Sequence, residues 1–178
     1  MGNPTLYTIG HSTRPIEELV GLLRQHAVEA VVDIRTVPRS RHNPQFEQQN
    51  LRGSLEDAGV AYRHMPGLGG LRRATKDSVN GGWRNESFRG YADYMQTEEF
   101  VAAVEELIEV ASRQPTAIMC AEAVPWRCHR SLVADALLVR GVDVLDIISE
   151  KSSKPHTLTR FAHVEGTRIT YPAETLLR

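Results

Sequence analysis

Five short apolar runs, at residues 6–9, 30–34, 60–65, 116–119 and 142–148, alternate with longer stretches in which apolar residues recur at helical spacing. This alternation constrains the fold more than any other property of the chain. A strand followed by an amphipathic helix cannot bury both apolar faces alone. Stacked units of this kind bring the strands side by side in a parallel sheet, with right-handed crossovers and helices on its faces. The run Ala30, Val31, Val32, Asp33, Ile34 has no polar alternation, the pattern of a strand covered on both sides. Helical faces are carried by Ile16, Leu19, Val20 and Leu23, by Leu51, Leu55 and Ala58, by residues 88–95, by Phe100, Val104, Leu107, Ile108 and Ala111, and by residues 132–140. Thr13 and Thr97 are candidate N-caps, and Gly59 and Gly141 candidate terminators. We therefore expect one α/β domain over residues 1–178, with a mainly parallel five-stranded sheet flanked by helices.

Two stretches depart from this rhythm. Residues 66–87 hold five glycines within sixteen residues, together with Arg72, Arg73 and Arg84, and read as a long loop with at most a helical turn. Leu68, Leu71 and Trp83 would pin such a loop down. Residues 151–178 form a C-terminal extension with a hairpin expected around Glu165 and Gly166.

Length and composition bound the function. A chain of 178 residues with 41% hydrophobic and 24% charged residues buries a real core and is not disordered. No apolar run approaches the ~20 residues that cross a bilayer, so no membrane partner is expected. The N-terminus shows no basic region followed by an apolar one, and two cysteines without an export signal suit a reducing compartment. The expected location is the cytoplasm. From position 33 to 91 ten Lys/Arg face six Asp/Glu, against a net charge of −1 for the whole chain. Arginine outnumbers lysine 18 to 3 throughout, so part of that excess is compositional. A basic segment on a near-neutral protein favours an anionic partner, here a phosphate-bearing small molecule or a nucleic acid.

The chemistry-bearing residues fall at strand ends. His11 and Ser12 follow the first run, Asp33 and Arg35 end the second, His64 ends the third, and Cys120 and Glu122 end the fourth. In a parallel sheet these ends share the edge where ligands bind. Asp33 lies within a buried apolar run, where an unpaired charge is costly, so Arg35 or His11 is its expected partner. Cys120 to Ser131 then holds both cysteines with Glu122, Arg127, His129 and Arg130, between a strand-like and a helix-like run.

Thr8-Ile9-Gly10-His11-Ser12, Val32-Asp33-Ile34-Arg35 with Pro38, Leu68-Gly69-Gly70, the run Phe88-Arg89-Gly90-Tyr91-Ala92-Asp93-Tyr94-Met95, and Cys120-x-Glu122 leading to Cys128-His129-Arg130 resemble the domain-of-unknown-function family numbered 488. The resemblance covers nearly the whole chain in the expected order. It implies an α/β domain and supports treating these motifs as one site. The family is a bacterial and archaeal group without an agreed activity, so the resemblance supplies no substrate.

Four chemistries fit the cysteine segment. Cys120 suits a thiol nucleophile, because cationic neighbours and helix N-terminal amides favour a thiolate. Arg127 lies one residue too far from Cys120 for a tyrosine-phosphatase loop. Cys120, Cys128 and His129, with His11 or His64, are metal-ligand types, but their spacing matches no closed zinc motif. Seven residues separate the cysteines, unlike a thioredoxin-type pair, which leaves a redox disulfide open. Arg35, Arg89, Arg127 and Arg130 suit an anion clamp, and Tyr91, among other aromatics, suits stacking on a base. The leading expectation is a hydrolase or transferase using Glu122 or His11 as general acid/base, Asp33 beside them and Cys120 as nucleophile, with Ser12, Arg35, Arg89, Tyr91, Arg127, Cys128, His129 and Arg130 binding the ligand. The rival is a non-catalytic nucleic-acid-associated module. An enzyme needs Glu122, Asp33, His11 and Cys120 close together and open to solvent. No cofactor, metal or oligomeric state is assigned.

Overall fold

The computed structural model describes residues 4–173. The start of the expected leaderless N-terminus (1–3) and the end of the C-terminal extension (174–178) lie outside the described residues. The chain runs β1 (Thr5–Gly10), α1 (Ile16–Gln25), β2 (Ala30–Asp33), α2 (Gln48–Asp57), β3 (Ala61–His64), α3 (Glu86–Tyr94), α4 (Glu98–Arg113), β4 (Thr116–Cys120), α5 (Arg130–Leu138) and β5 (Asp143–Ile147). Three short strands follow, β6 (Ser153–Pro155), β7 (His163–Glu165) and β8 (Arg168–Thr170). The sheet order is β3-β2-β4-β1-β5-β6, and β7 and β8 make a separate hairpin. The five expected strands pair in parallel, and the sheet gains a sixth, antiparallel edge strand, β6, on β5.

Neighbouring residues on the parallel strands serve two different cores. Ile9, Val31, Ala117 and Met119 pack with Leu19, Leu22 and Leu23 of α1 and Leu51 and Leu55 of α2. Leu6, Val32, Ile118 and Cys120 pack with Tyr91 of α3, Phe100, Val104 and Leu107 of α4, and Leu132, Val133 and Leu137 of α5. Helices therefore cover both faces, which explains the unbroken apolar character of β2 and β4. β1 and β4 are adjacent, but the chain leaves β1 toward β2 and leaves β4 toward β5, in opposite directions across the sheet. The point where connections diverge is where doubly wound folds bind ligands, and here it lies beyond Gly10 and Cys120.

Local details follow the sequence with two exceptions. Thr97 caps α4 by accepting from the Phe100 amide, and Gly59, at φ 78°, ends α2 in the left-handed region. Thr13 does not cap α1. Ser12 turns the chain with a φ of 50°, the Arg14 amide bonds the His11 carbonyl, and Pro15 takes the position before the helix. The last helix of the core begins at Arg130, two residues earlier than its apolar pattern suggests. Among the described residues no helix is long and apolar enough to cross a membrane.

Candidate functional site

The loops after β1 and β4 are zipped together beyond the sheet. The His11 amide bonds the Cys120 carbonyl and the Ser12 amide the Ala121 carbonyl, each at 2.9 Å. Gly10 makes this approach feasible, since a Cβ there would sit 1.8 Å from the Glu122 carbonyl oxygen. The strand-end residues thus come together in two groups on one edge.

The first group is carboxylate-centred. Asp33 accepts from Arg35 Nε at 2.9 Å and Nη2 at 2.7 Å, and from the Tyr62 hydroxyl at 2.6 Å. This is a bidentate pair with little solvent around it, and it ties the loops after β2 to β3. His11 stacks on Phe46 with ring centroids 4.1 Å apart. Its Nδ1 faces the Ser12 carbonyl at 2.8 Å and therefore donates, which leaves Nε2 to accept from Arg35 Nη1 at 3.4 Å. Burial first, and Arg35 next, keep this imidazole below the usual histidine range and neutral. His64 Nε2 donates to the Arg35 carbonyl at 2.7 Å.

The second group is sulfur-centred. Arg130 has no exposed surface at all, and its guanidinium turns inward. Nη1 donates to Cys120 Sγ at 3.1 Å and to the Glu122 carbonyl at 2.8 Å, and Nη2 to the Ala123 carbonyl at 3.2 Å. None of the ion pairs among the described residues involves Arg130. Cys128 donates to Cys120 Sγ at 2.6 Å, and the Arg130 amide, in the first turn of α5, reaches Cys128 Sγ at 3.4 Å. Burial pushes the Cys120 thiol up, but the Cys128 hydrogen bond, the Arg130 charge and the backbone contact at Glu122 together hold it below the ordinary thiol range. Cys128 moves the opposite way, because it supplies the hydrogen bond and is itself buried. The guanidinium thus faces one sulfur of the chain, Cys120, and the helix-start amide faces the other, Cys128.

His129 joins the two groups. Its Nε2 donates to the Ile34 carbonyl at 3.0 Å, so Nδ1 carries the lone pair, 3.5 Å from Cys128 Sγ. Burial first, and Arg130 next, bring this imidazole down to about 4. The Tyr91 ring lies 5.0 Å away, and its hydroxyl donates to the Leu68 carbonyl at 2.8 Å. Gly70 lets the long loop lie flush on the site, since a Cβ there would stand 3.2 Å from His129 Nδ1. Glycines and Tyr91 therefore seat the 66–87 loop against the cysteine segment. Leu71 does not pin it: the residue is 83% exposed and sits at φ 59°.

The other expected site residues lie at the margins. Glu122 and Arg127 are exposed on the segment covering Cys120, and Ser12 is partly exposed beside it. Arg89 turns to the Trp83 carbonyl at 3.2 Å, at the start of α3. Of the four groups named for acid, base and nucleophile work, Asp33, His11 and Cys120 are buried and Glu122 alone faces solvent, so the open four-residue arrangement expected of an enzyme is not formed. Cys120 packs into the core under α3 to α5, while His11 stacks on Phe46 of the other core. Both Asp33 oxygens are occupied. Among the described residues no group of three or more His, Cys, Asp or Glu side chains has the arrangement to hold a metal ion.

Tyr62 went unnamed in the sequence, although its place on β3 opposite Val31, beside Asp33, follows from strand register. A second buried polar cluster was also missed. His156 donates from Nε2 to Asp135 at 2.8 Å and lies 3.5 Å through Nδ1 from Asp146, Tyr171 donates to Asp135 at 2.8 Å, and Thr8 donates to Asp146 at 2.5 Å. Asp135 stands within Leu132, Val133, Ala134, Ala136 and Leu137, so the rule that singled out Asp33 applied to it equally.

A family model described as Domain of unknown function DUF488 matches residues 15–137. The chain belongs to this family. The matched range carries Asp33, Arg35, Tyr91 and the whole cysteine segment through Arg130. His11 and Ser12 precede it and His156 follows it. No curated protein and no solved structure matches the chain.

Proposed function

We propose that the protein is a thiol-dependent enzyme, a transferase or hydrolase in which Cys120 attacks as a thiolate. The observation that carries this reading is Arg130, a wholly buried guanidinium bonded to a cysteine sulfur and two carbonyls, with no carboxylate at ion-pair distance among the described residues. Burying a cation with no counter-ion in contact is costly. The Asp146 carboxylate acts on it only from beyond ion-pair distance, and a thiolate at Cys120 is the charge in contact that relieves it. The remaining parts fit this assignment. Cys128 donates to the thiolate, and the first-turn amide of α5 donates to Cys128 in turn.

Cys120 is only 2% exposed, so substrate reaches it when the segment at 121–127 moves aside. That cover carries Trp126, 71% exposed, next to Arg127, which is also exposed. An open aromatic face beside a guanidinium suits a base or sugar beside a phosphate, which supports a phosphate-bearing small molecule such as a nucleotide as substrate. We read the protein as one of a bacterial cytoplasm, a setting that keeps two free thiols reduced. The same exposed pair, with the basic central segment, favours the second reading, a non-catalytic module on a nucleic-acid backbone.

Alkylation of the reduced protein across pH, with and without nucleotides, tests both. Cys120 is expected to react with a midpoint below that of an ordinary thiol, and nucleotides are expected to protect it. A midpoint at the ordinary thiol value sinks the nucleophile, and lack of protection by any phosphate compound sinks the substrate class. Binding to DNA or RNA that falls steeply with added salt, without protection of Cys120, selects the module.

A further inference from the structure

Cys128 does more than a nucleophile requires. Beyond donating one hydrogen bond to Cys120, it is a second buried thiol with its sulfur 2.6 Å from the first. A disulfide needs about 2.05 Å between sulfurs, so bonding takes a shift of roughly half an ångström. Cys120 closes β4 and Cys128 immediately precedes the turn into α5, so the two anchor the ends of one seven-residue segment. His129 Nδ1, the ring nitrogen with the lone pair, stands 3.5 Å from Cys128 Sγ and can relay the thiol proton.

We propose that Cys120 and Cys128 are a reversible dithiol–disulfide pair that exchanges with small organic disulfides, Cys120 attacking and Cys128 resolving. The inference rests on the reading of Cys120 as a thiolate. In the first step Cys120 Sγ bonds to one sulfur of R–S–S–R, the S–S bond breaks, and R–S⁻ leaves. In the second, Cys128 loses its proton and its sulfur bonds to Cys120 Sγ. The mixed disulfide breaks and the second R–S⁻ leaves, taking up the Cys128 proton as R–SH. Two electrons pass from the protein dithiol to the small disulfide. The reverse sequence reduces the protein.

Arg130 gives this exchange a structural consequence. In the disulfide Cys120 carries no charge, and the buried guanidinium keeps only the Glu122 and Ala123 carbonyls. A buried cation that loses the anion in contact with it, and keeps only Asp146 beyond ion-pair distance, opposes the oxidised state. Oxidation should therefore loosen the segment from 121 to 129 and lower the unfolding temperature, contrary to the usual effect of a new crosslink.

The test treats the full-length reduced protein with 2-hydroxyethyl disulfide, followed by mass spectrometry, peptide mapping and thermal unfolding. Expected are loss of two hydrogens, a Cys120–Cys128 peptide link and a lower unfolding temperature than the reduced form. Cys128→Ser, or Cys128→Ala if the hydroxyl is not tolerated at the buried position, should stop at a mixed disulfide on Cys120 and release one thiol instead of two. The reduced protein is alkylated in parallel. Fast alkylation of Cys120 without a Cys120–Cys128 link in the oxidised protein overturns this inference and leaves the nucleophile reading standing. Slow alkylation of Cys120 overturns both.

Discussion

Arg130 and Arg35 show two solutions to burying a guanidinium. Arg35 takes the common one, a bidentate bond to a carboxylate, Asp33, that is equally buried. Arg130 has a thiol and two carbonyls instead, and its Nε finds no acceptor among the described residues. The Arg130 charge in turn helps to hold the Cys120 thiol below the ordinary range. Arg130→Met keeps much of the volume and removes the cation. The Cys120 thiol should then rise from about 7 by at least about one unit, which makes its alkylation at neutral pH about fivefold slower or more. Arg130→Lys should fall between the two. An unchanged pH profile in Arg130→Met would show that the guanidinium does not hold the thiolate. The sequence places Arg130 beside the cysteines, but not the direction of its side chain. A helix start that could equally have met an external anion meets the chain's own sulfur, because Gly10 lets the β1 loop close over it.

At the level of elements, the central strands and the helices were legible where a period coincides with a buried face, as in β2 and α4, whereas the exposed edge strand β6 was not. The 66–87 loop was not, because what orders it is distant in sequence. Asp93 of α3 accepts from the Thr75 amide at 2.8 Å, Ser78 Oγ at 2.6 Å and Asn80 Nδ2 at 2.7 Å. Partial burial pushes its carboxyl up, but these hydrogen bonds outweigh that and hold it below the usual range. Asn80 passes the order on, with its Oδ1 accepting from the Tyr171 amide at 2.8 Å. Only the cap of α3 was local: Asn85 accepts from the Ser87 and Phe88 amides, and an Asn before a helical run is a known start signal. Asp93→Ala removes four hydrogen bonds at once, and limited proteolysis or hydrogen exchange should show the stretch 75–80 opening while β1 to β5 stay protected. If protection spreads no differently from wild type, the loop is held by its aromatic contacts at Trp83 instead.

For the molecule as a whole, two buried charge arrangements act on stability with opposite signs over the same pH range. The C-terminal extension is fastened by His156, set between Asp135 of α5 and Asp146 of β5. Burial alone would lower this imidazole, but the two carboxylates raise it to about 9 from the ordinary 6.5. The folded state then holds a proton that the unfolded chain releases, so this stabilisation is complete below 6.5 and is lost as pH rises to about 9. Cys120 does the reverse. Its thiol is lowered on folding, so the folded state gives up a proton that the unfolded chain keeps, and stability grows with pH up to the ordinary thiol value. His11 and His129 are held below 6.5 and act at lower pH, and Cys128, raised, acts above the ordinary thiol value. Between pH 6.5 and 9 the two main terms therefore offset each other, and urea unfolding of the wild type should give a nearly flat profile. His156→Gln should lower stability at the acid end of that range by on the order of 2 kcal/mol and turn the profile upward with pH. Cys120→Ser should turn it downward. Parallel profiles for wild type and His156→Gln would mean that His156 is neutral in the folded protein. The sign of each slope then separates the clasp on the C-terminal extension from the thiolate at the sheet edge, two sites that share no residue yet meet across β1, where Thr8 bonds Asp146 and Gly10 backs the Glu122 loop.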